Sequence, residues 1–148
     1  MTSSSIRPPL AESLDLASHP EGGWYRRIFR SDVSVMPPGY AGERPAATAI
    51  SYLLGAGDRS AWHRLRSGEL WLWQGLGPVR LRLGGSESAP VAAEEFVLGA
   101  EPAAGQVLHT VVPPGTWQTA EPLTSAGGLV ACVVAPGFDF ADFELYRR

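Results

Sequence analysis

The sequence predicts a single all-β domain, a sandwich or closed barrel, preceded by one short helix. Three observations carry this. Glycine (17) and proline (13) are scattered through the 148 residues as punctuation, which marks many turns between short segments. Between the turns, apolar residues form short runs or alternate with polar ones, the period-two signature of strands. Only Leu10, Leu14 and Leu16 show roughly helical spacing, and strand patterns dominate beyond Pro20.

Residues 1–9 are polar and Pro-rich and are expected to form a mobile tail, with one domain over residues 10–148. The short helix should end before Pro20, because the residue preceding a proline is pushed out of the helical region. Trp24–Arg30 is aromatic and β-branched and follows Gly22-Gly23. Thr48–Leu54 is an apolar run closed by Gly55 and Gly57. In Val79–Leu83, Arg80 and Arg82 alternate with aliphatic residues, so one face meets a core and the other water. Residues 107–112 form a run closed by Pro113-Pro114-Gly115, and residues 129–135 one closed by Pro136-Gly137. Eight or more short strands at this spacing argue for a sandwich or barrel.

Composition excludes several classes. At 45% hydrophobic and 18% charged residues, the chain is globular rather than disordered. A net charge of −3 gives no polyanion surface, so no nucleic-acid partner is expected, although local arginines leave an anionic ligand open. Cys132 is the only cysteine, which excludes an intramolecular disulfide and a cysteine-rich zinc site. Its apolar neighbours point to an inert core thiol. No apolar run suits a signal peptide or a membrane span, so the expected compartment is the cytoplasm, with no membrane partner.

The segment from Trp62 to Trp73 is the most informative. Read as a hairpin with the three-residue loop Arg66-Ser67-Gly68, it sets Leu65 opposite Glu69 and His63 opposite Trp71. Alternation then puts His63, Leu65, Glu69 and Trp71 on one face. A two-residue loop would break that grouping. An imidazole and a carboxylate facing a barrel interior can ligate a metal, perform acid–base chemistry, or simply bond each other as part of the wall. Residues 111–118 read as a strand, a Pro-Gly turn and a returning strand that carries Gln118, an amide able to accept or donate.

Together these segments resemble the paired motifs of the cupin superfamily. The first motif appears as Gly57, five residues, His63, Arg64, Leu65, three residues, Glu69, five residues, Gly75. The second appears as Gly105, a long lead-in, then Pro113-Pro114-Gly115-Thr116-Trp117-Gln118. Further stretches (residues 19–26, 49–54, 62–64, 112–118 and 135–144) resemble a subfamily of small, largely uncharacterised single-domain cupins. The resemblance implies a double-stranded β-helix, or jelly-roll barrel, with a ligand-sized pocket and a homodimeric state; Trp24–Arg30 is the expected exchanged edge. It also implies a metal held by two histidines and a glutamate of the first motif and a histidine of the second. Here His63 and Glu69 are kept, while Leu65 and Gln118 stand where the other two histidines would be. A leucine cannot ligate, and an amide is a poor ligand for zinc or iron. The expectation is therefore no cofactor, or at most a weakly bound divalent metal on His63, Glu69 and Gln118, helped by an outside donor such as His109.

The expected catalytic pair is His63 and Glu69, with Trp71, Gln118, Tyr25 and Leu65 as substrate-binding residues. His19 and Glu21 are read as holding the Gly22-Gly23 turn, and residues 138–143 as a lid or dimer packing. Two functions stay open on this reading. One is an enzyme of the epimerase, isomerase or dehydratase type, acting on a sugar-like or cyclic metabolite: His63 is base or acid, Glu69 orients it, and Gln118 binds a developing oxyanion. The other is a non-catalytic module holding an apolar or aromatic metabolite against Trp71.

Overall fold

The structure is a computed structural model that describes residues 6–147. One short helix, α1 (Pro9–Ser13), precedes thirteen strands. They are β1 (Ala17–Ser18), β2 (Trp24–Arg30), β3 (Ser34–Val35), β4 (Arg44–Pro45), β5 (Thr48–Leu54), β6 (Ser60–Leu65), β7 (Gly68–Leu76), β8 (Val79–Leu83), β9 (Glu94–Leu98), β10 (His109–Val112), β11 (Gln118–Pro122), β12 (Gly128–Ala135) and β13 (Phe143–Leu145). A six-stranded sheet in the order β1-β2-β5-β12-β7-β10 faces a five-stranded sheet in the order β13-β6-β11-β8-β9. The two form the jelly-roll barrel, and β3 and β4 make a small separate ribbon.

Alternation decides what lies between the sheets. Tyr52 and Leu54 of β5, Trp71 of β7, Val79, Leu81 and Leu83 of β8, and Val130 and Cys132 of β12 form the main core. A second cluster lies outside the six-stranded sheet, where α1 packs Ala11 and Leu16 against Trp24 and Leu53. The fold also takes in part of the expected tail. Pro9 opens α1, and Arg7 Nη1 donates to the carbonyl of Leu16 at 3.2 Å. Residues 1–5 of that tail lie outside the described residues.

Two turns differ from the sequence expectation in the same way. Strands β6 and β7 do not pair: β6 belongs to the five-stranded sheet and β7 to the other. Arg66-Ser67 is therefore a corner where the chain crosses between sheets, not a hairpin loop, and the pairs Leu65–Glu69 and His63–Trp71 do not form. Pro113 to Trp117 is a second crossing, from β10 in one sheet to β11 in the other. The strands that pair are β11 with β6, setting Gln118 beside His63, and β10 with β7, setting Val112 beside Glu69. The inward face still collects His63, Leu65, Glu69 and Trp71, because each strand alternates independently about the same interior.

Candidate functional site

A cavity of about 60 Å³ lies between the sheets toward one end of the barrel. At roughly 10–15 Å³ per water, that is room for a small molecule and not for a polymer. Tyr52, His63, Glu69, Trp71 and Cys132 line it and are almost fully buried, while Phe140 and Arg27, at the other extreme, are exposed. Ile50, Leu65 and Val134 add aliphatic wall.

Glu21 enters this cavity from the loop between β1 and β2. Gly22 and Gly23 both have positive φ, +110° and +80°. A Cβ on Gly22 would come within 2.0 Å of the Arg59 carbonyl oxygen, so only glycine fits this approach. The loop is pinned by backbone bonds from His19 N to Gly23 O (2.9 Å) and from Ala61 N to Glu21 O (2.8 Å).

Geometry assigns the protons on His63. Its Nδ1 lies 2.7 Å from the carbonyl oxygen of Ala61. A carbonyl only accepts, so Nδ1 carries a hydrogen and Nε2 is the functional nitrogen. That Nε2 faces Glu21 Oε1 at 3.2 Å, with both side chains buried. The contact is an ion pair when the imidazole is protonated. The Ser60 hydroxyl donates to the other oxygen, Glu21 Oε2. His63 thus has a carboxylate partner, and it is Glu21 rather than the expected Glu69.

His19 closes the group. Its Nδ1 accepts the Glu21 N–H at 3.1 Å, so that nitrogen carries no proton and its 3.6 Å approach to Glu21 Oε1 is not an ion pair. Burial lowers the pKa of His19, and Glu21 only partly opposes this. The Tyr52 hydroxyl donates to Gly22 O at 2.5 Å, and burial holds its pKa far above the usual phenol range.

Glu69 sits on β7, in the opposite sheet. Trp71 Nε1 donates to Gln118 Oε1 at 2.9 Å, and Gln118 Nε2 donates to Glu69 Oε1 at 2.8 Å. Burial pushes the Glu69 carboxyl up to about 7, against the downward pull of His63 and of the Gln118 bond. Cys132 stays a thiol: burial first, then the charge of Glu69, raises it well above the usual range.

The mouth is covered by aromatic residues between β12 and β13. Phe138 and Phe140 line the cavity and meet edge to face at 4.8 Å, and Phe140 stacks on Phe143 at 5.8 Å. Asp142 anchors this segment through a two-pronged pair with Arg44, at 2.8 and 3.0 Å. Residues 138–143 were expected to form a lid or dimer packing, and here they pack on one another beside the cavity.

Of the residues picked from sequence, His63, Glu69, Trp71, Tyr25 and Leu65 line the cavity. Gln118 does not. It is fully buried behind the wall, and its amide oxygen and nitrogen are engaged by Trp71 and Glu69 rather than turned into the cavity. His109 is exposed on edge strand β10, paired with the outward Leu72, and cannot reach the interior. Sequence reasoning missed the chemical part of Glu21 and His19, and the places of Arg27 and Cys132 on the cavity wall. The one available signal was the acid in His19-Pro20-Glu21 immediately before a glycine pair.

The donor set does not fit a transition-metal ion at the positions the cupin motifs would supply. Leu65 offers no donor, the Gln118 amide is occupied, and His63 Nε2 is turned to Glu21. Among the described residues, no three His, Cys, Asp or Glu side chains are grouped to hold a metal.

Fold and site together define a class: a jelly-roll barrel with an acid-lined cavity between its sheets. Residues 9–146 match the family described as Cupin superfamily (DUF985), and the chain belongs to that family. It is similar to a hypothetical protein from Leishmania major, with 30% identity, a TM-score of 0.82, and coverage of 92% of this chain and 84% of that one. It is also similar to a protein from Shewanella oneidensis, with 31% identity, a TM-score of 0.81, and coverage of 93% and 82%. A Klebsiella pneumoniae protein with a double-stranded β-helix domain shares the fold at 15% identity and a TM-score of 0.60, covering 99% of this chain and 100% of that one. No curated protein matches the chain. Among the described residues, no helix is long and apolar enough to cross a membrane.

Proposed function

We propose that the cavity is an active site for proton transfer on a small metabolite, of the kind used in epimerisation, isomerisation or dehydration. The observation that carries this reading is the His63 Nε2–Glu21 Oε1 contact at 3.2 Å inside a cavity whose second carboxyl, Glu69, is held near neutrality. In the proposed step the His63–Glu21 pair takes a proton from a substrate carbon. The C–H bond breaks, its electron pair moves into a neighbouring carbonyl, and the proton stays on the pair. Glu69, protonated for much of the time near pH 7, faces the cavity from the other sheet and returns a proton to carbon or oxygen. The Ala61 carbonyl fixes the His63 tautomer, and Ser60 fixes the Glu21 carboxylate. Gln118 acts through Glu69 and Trp71 and is a positioning residue. The chemistry uses side chains alone, because the donor set does not suit a metal.

The test is to replace His63 by Asn and Glu21 by Gln, and to measure affinity and turnover on small metabolites. Turnover lost with affinity kept supports the reading. Unchanged turnover in H63N refutes it. Binding without turnover in the wild type would make the protein a binding module.

The proposed assembly is a homodimer through β2. Strand β1 covers only Trp24 and Tyr25, which leaves the rest of β2 as an open edge with Ile28 and Phe29 exposed. Light scattering that gives a monomer at micromolar concentration would reject it.

A further inference from the structure

Resting on the reading of the cavity as a proton-transfer site, we propose that its substrate is a small monocarboxylate, bound by Arg27 at the mouth with its reacting carbon against His63 and Glu21.

Among the described residues, Arg27 is the only lysine or arginine that lines the cavity. Its side chain has no ion pair or hydrogen bond among the described residues. By contrast Arg7, Arg44, Arg64, Arg66, Arg80 and Arg82 are all paired with acids. Its direction is set by the sheet. Arg27 pairs with Ile50 and Tyr25 with Tyr52, so Tyr25 and Arg27 share the inward face of β2. Two residues along a strand span about 7 Å. Tyr25 packs edge to face on His19, ring centroids 4.5 Å apart, and so marks the polar end of the cavity. Arg27 lies one step further toward the mouth, and a short molecule spans the two.

Charge points the same way. A protonated His63 and the Glu21 carboxylate beside it sum to zero. His19 is neutral, since burial lowers its pKa and its Nδ1 accepts a backbone N–H. With Glu69 protonated, the guanidinium of Arg27 is the uncompensated charge of the cavity. A planar guanidinium matches a carboxylate in a two-pronged bond. A phosphate dianion would need further cations, and the described lining has no second lysine or arginine. Phe138, Phe140, Ile50 and Val134 also line the cavity and suit a short apolar body.

The experiment compares acid and amide pairs, propionate with propionamide and benzoate with benzamide, together with inorganic phosphate. Affinity is read by calorimetry on wild type, Arg27→Gln and Arg27→Lys. The wild type should prefer acid over amide by about tenfold or more, the scale of a charge-assisted bond. R27Q should bring the pair to near equality, and R27K should keep part of the preference. Equal binding of acid and amide, a preference that survives R27Q, phosphate binding more tightly than any carboxylate, or no carboxylate binding at all would each overturn the proposal. Arg27 is exposed, so these variants should fold. Failure of the proton-transfer reading shows separately, as an acid preference that persists in a protein without turnover.

Discussion

Replacing Glu69 by Gln keeps the shape of the side chain and removes its ionisation. The amide oxygen can still accept from Gln118 Nε2, so the packing and the bond survive. What changes is the pH dependence of stability. The ordinary value of this carboxyl is 4.5 and its folded value about 7. Below the ordinary value it is protonated in both states, and its ionisation does not affect folding. As pH rises from there toward 7, the unfolded chain gives up the proton while the folded protein retains it, so stability falls. Above pH 7 the loss is complete and amounts to about 3 kcal/mol, from the size of the pKa difference. Urea denaturation of wild type and E69Q from about pH 5 to about pH 8 measures it. The variant should gain about 2.5 kcal/mol on the wild type across that range, the rest of the loss having occurred below it. Parallel pH profiles would refute the claim that Glu69 is buried and near-neutral.

Further outcomes follow from the same geometry. Gln118→Leu leaves the Trp71 indole N–H and a Glu69 oxygen buried without partners; denaturant unfolding should show a loss of about 2–4 kcal/mol. Gly22→Ala drives a Cβ into the Arg59 carbonyl at positive φ, at a cost of about 2 kcal/mol or more. Because the loop carries Glu21, G22A should also shift the histidine NMR signals of His63. Dialysis against a chelator should leave melting temperature and ligand affinity unchanged, and a stoichiometric metal that survives dialysis would contradict the donor argument.

The strands were legible because their patterns are local. In Val79–Leu83 the alternation of valine and leucine with arginine already states which face is buried, and the structure buries Val79, Leu81 and Leu83. The two sheet crossings were not legible. A Ser-Gly or Pro-Pro-Gly turn serves a hairpin or a corner equally well, and only the partner strands decide. For the same reason the inward grouping of His63, Leu65, Glu69 and Trp71 was reached through a pairing that does not exist. The partner of His63 was hidden differently. Glu21 sits in an irregular loop, and its place depends on a glycine fitting against a carbonyl contributed by the approach to β6. Gln118 had a motif position on the returning strand, and only the side-chain geometry shows its amide bonded to Trp71 and Glu69 behind the wall.

The proposed function depends on a proton moving between substrate carbon and the His63–Glu21 pair. Incubating the wild type and H63N in deuterium oxide with a panel of small carboxylates that carry an acidic C–H, and reading deuterium incorporation by proton NMR, tests this most directly. The account predicts incorporation at one carbon of at least one compound with the wild type, and none above background with H63N. Equal incorporation by the two proteins, or none by the wild type with a carboxylate that demonstrably binds, would contradict it.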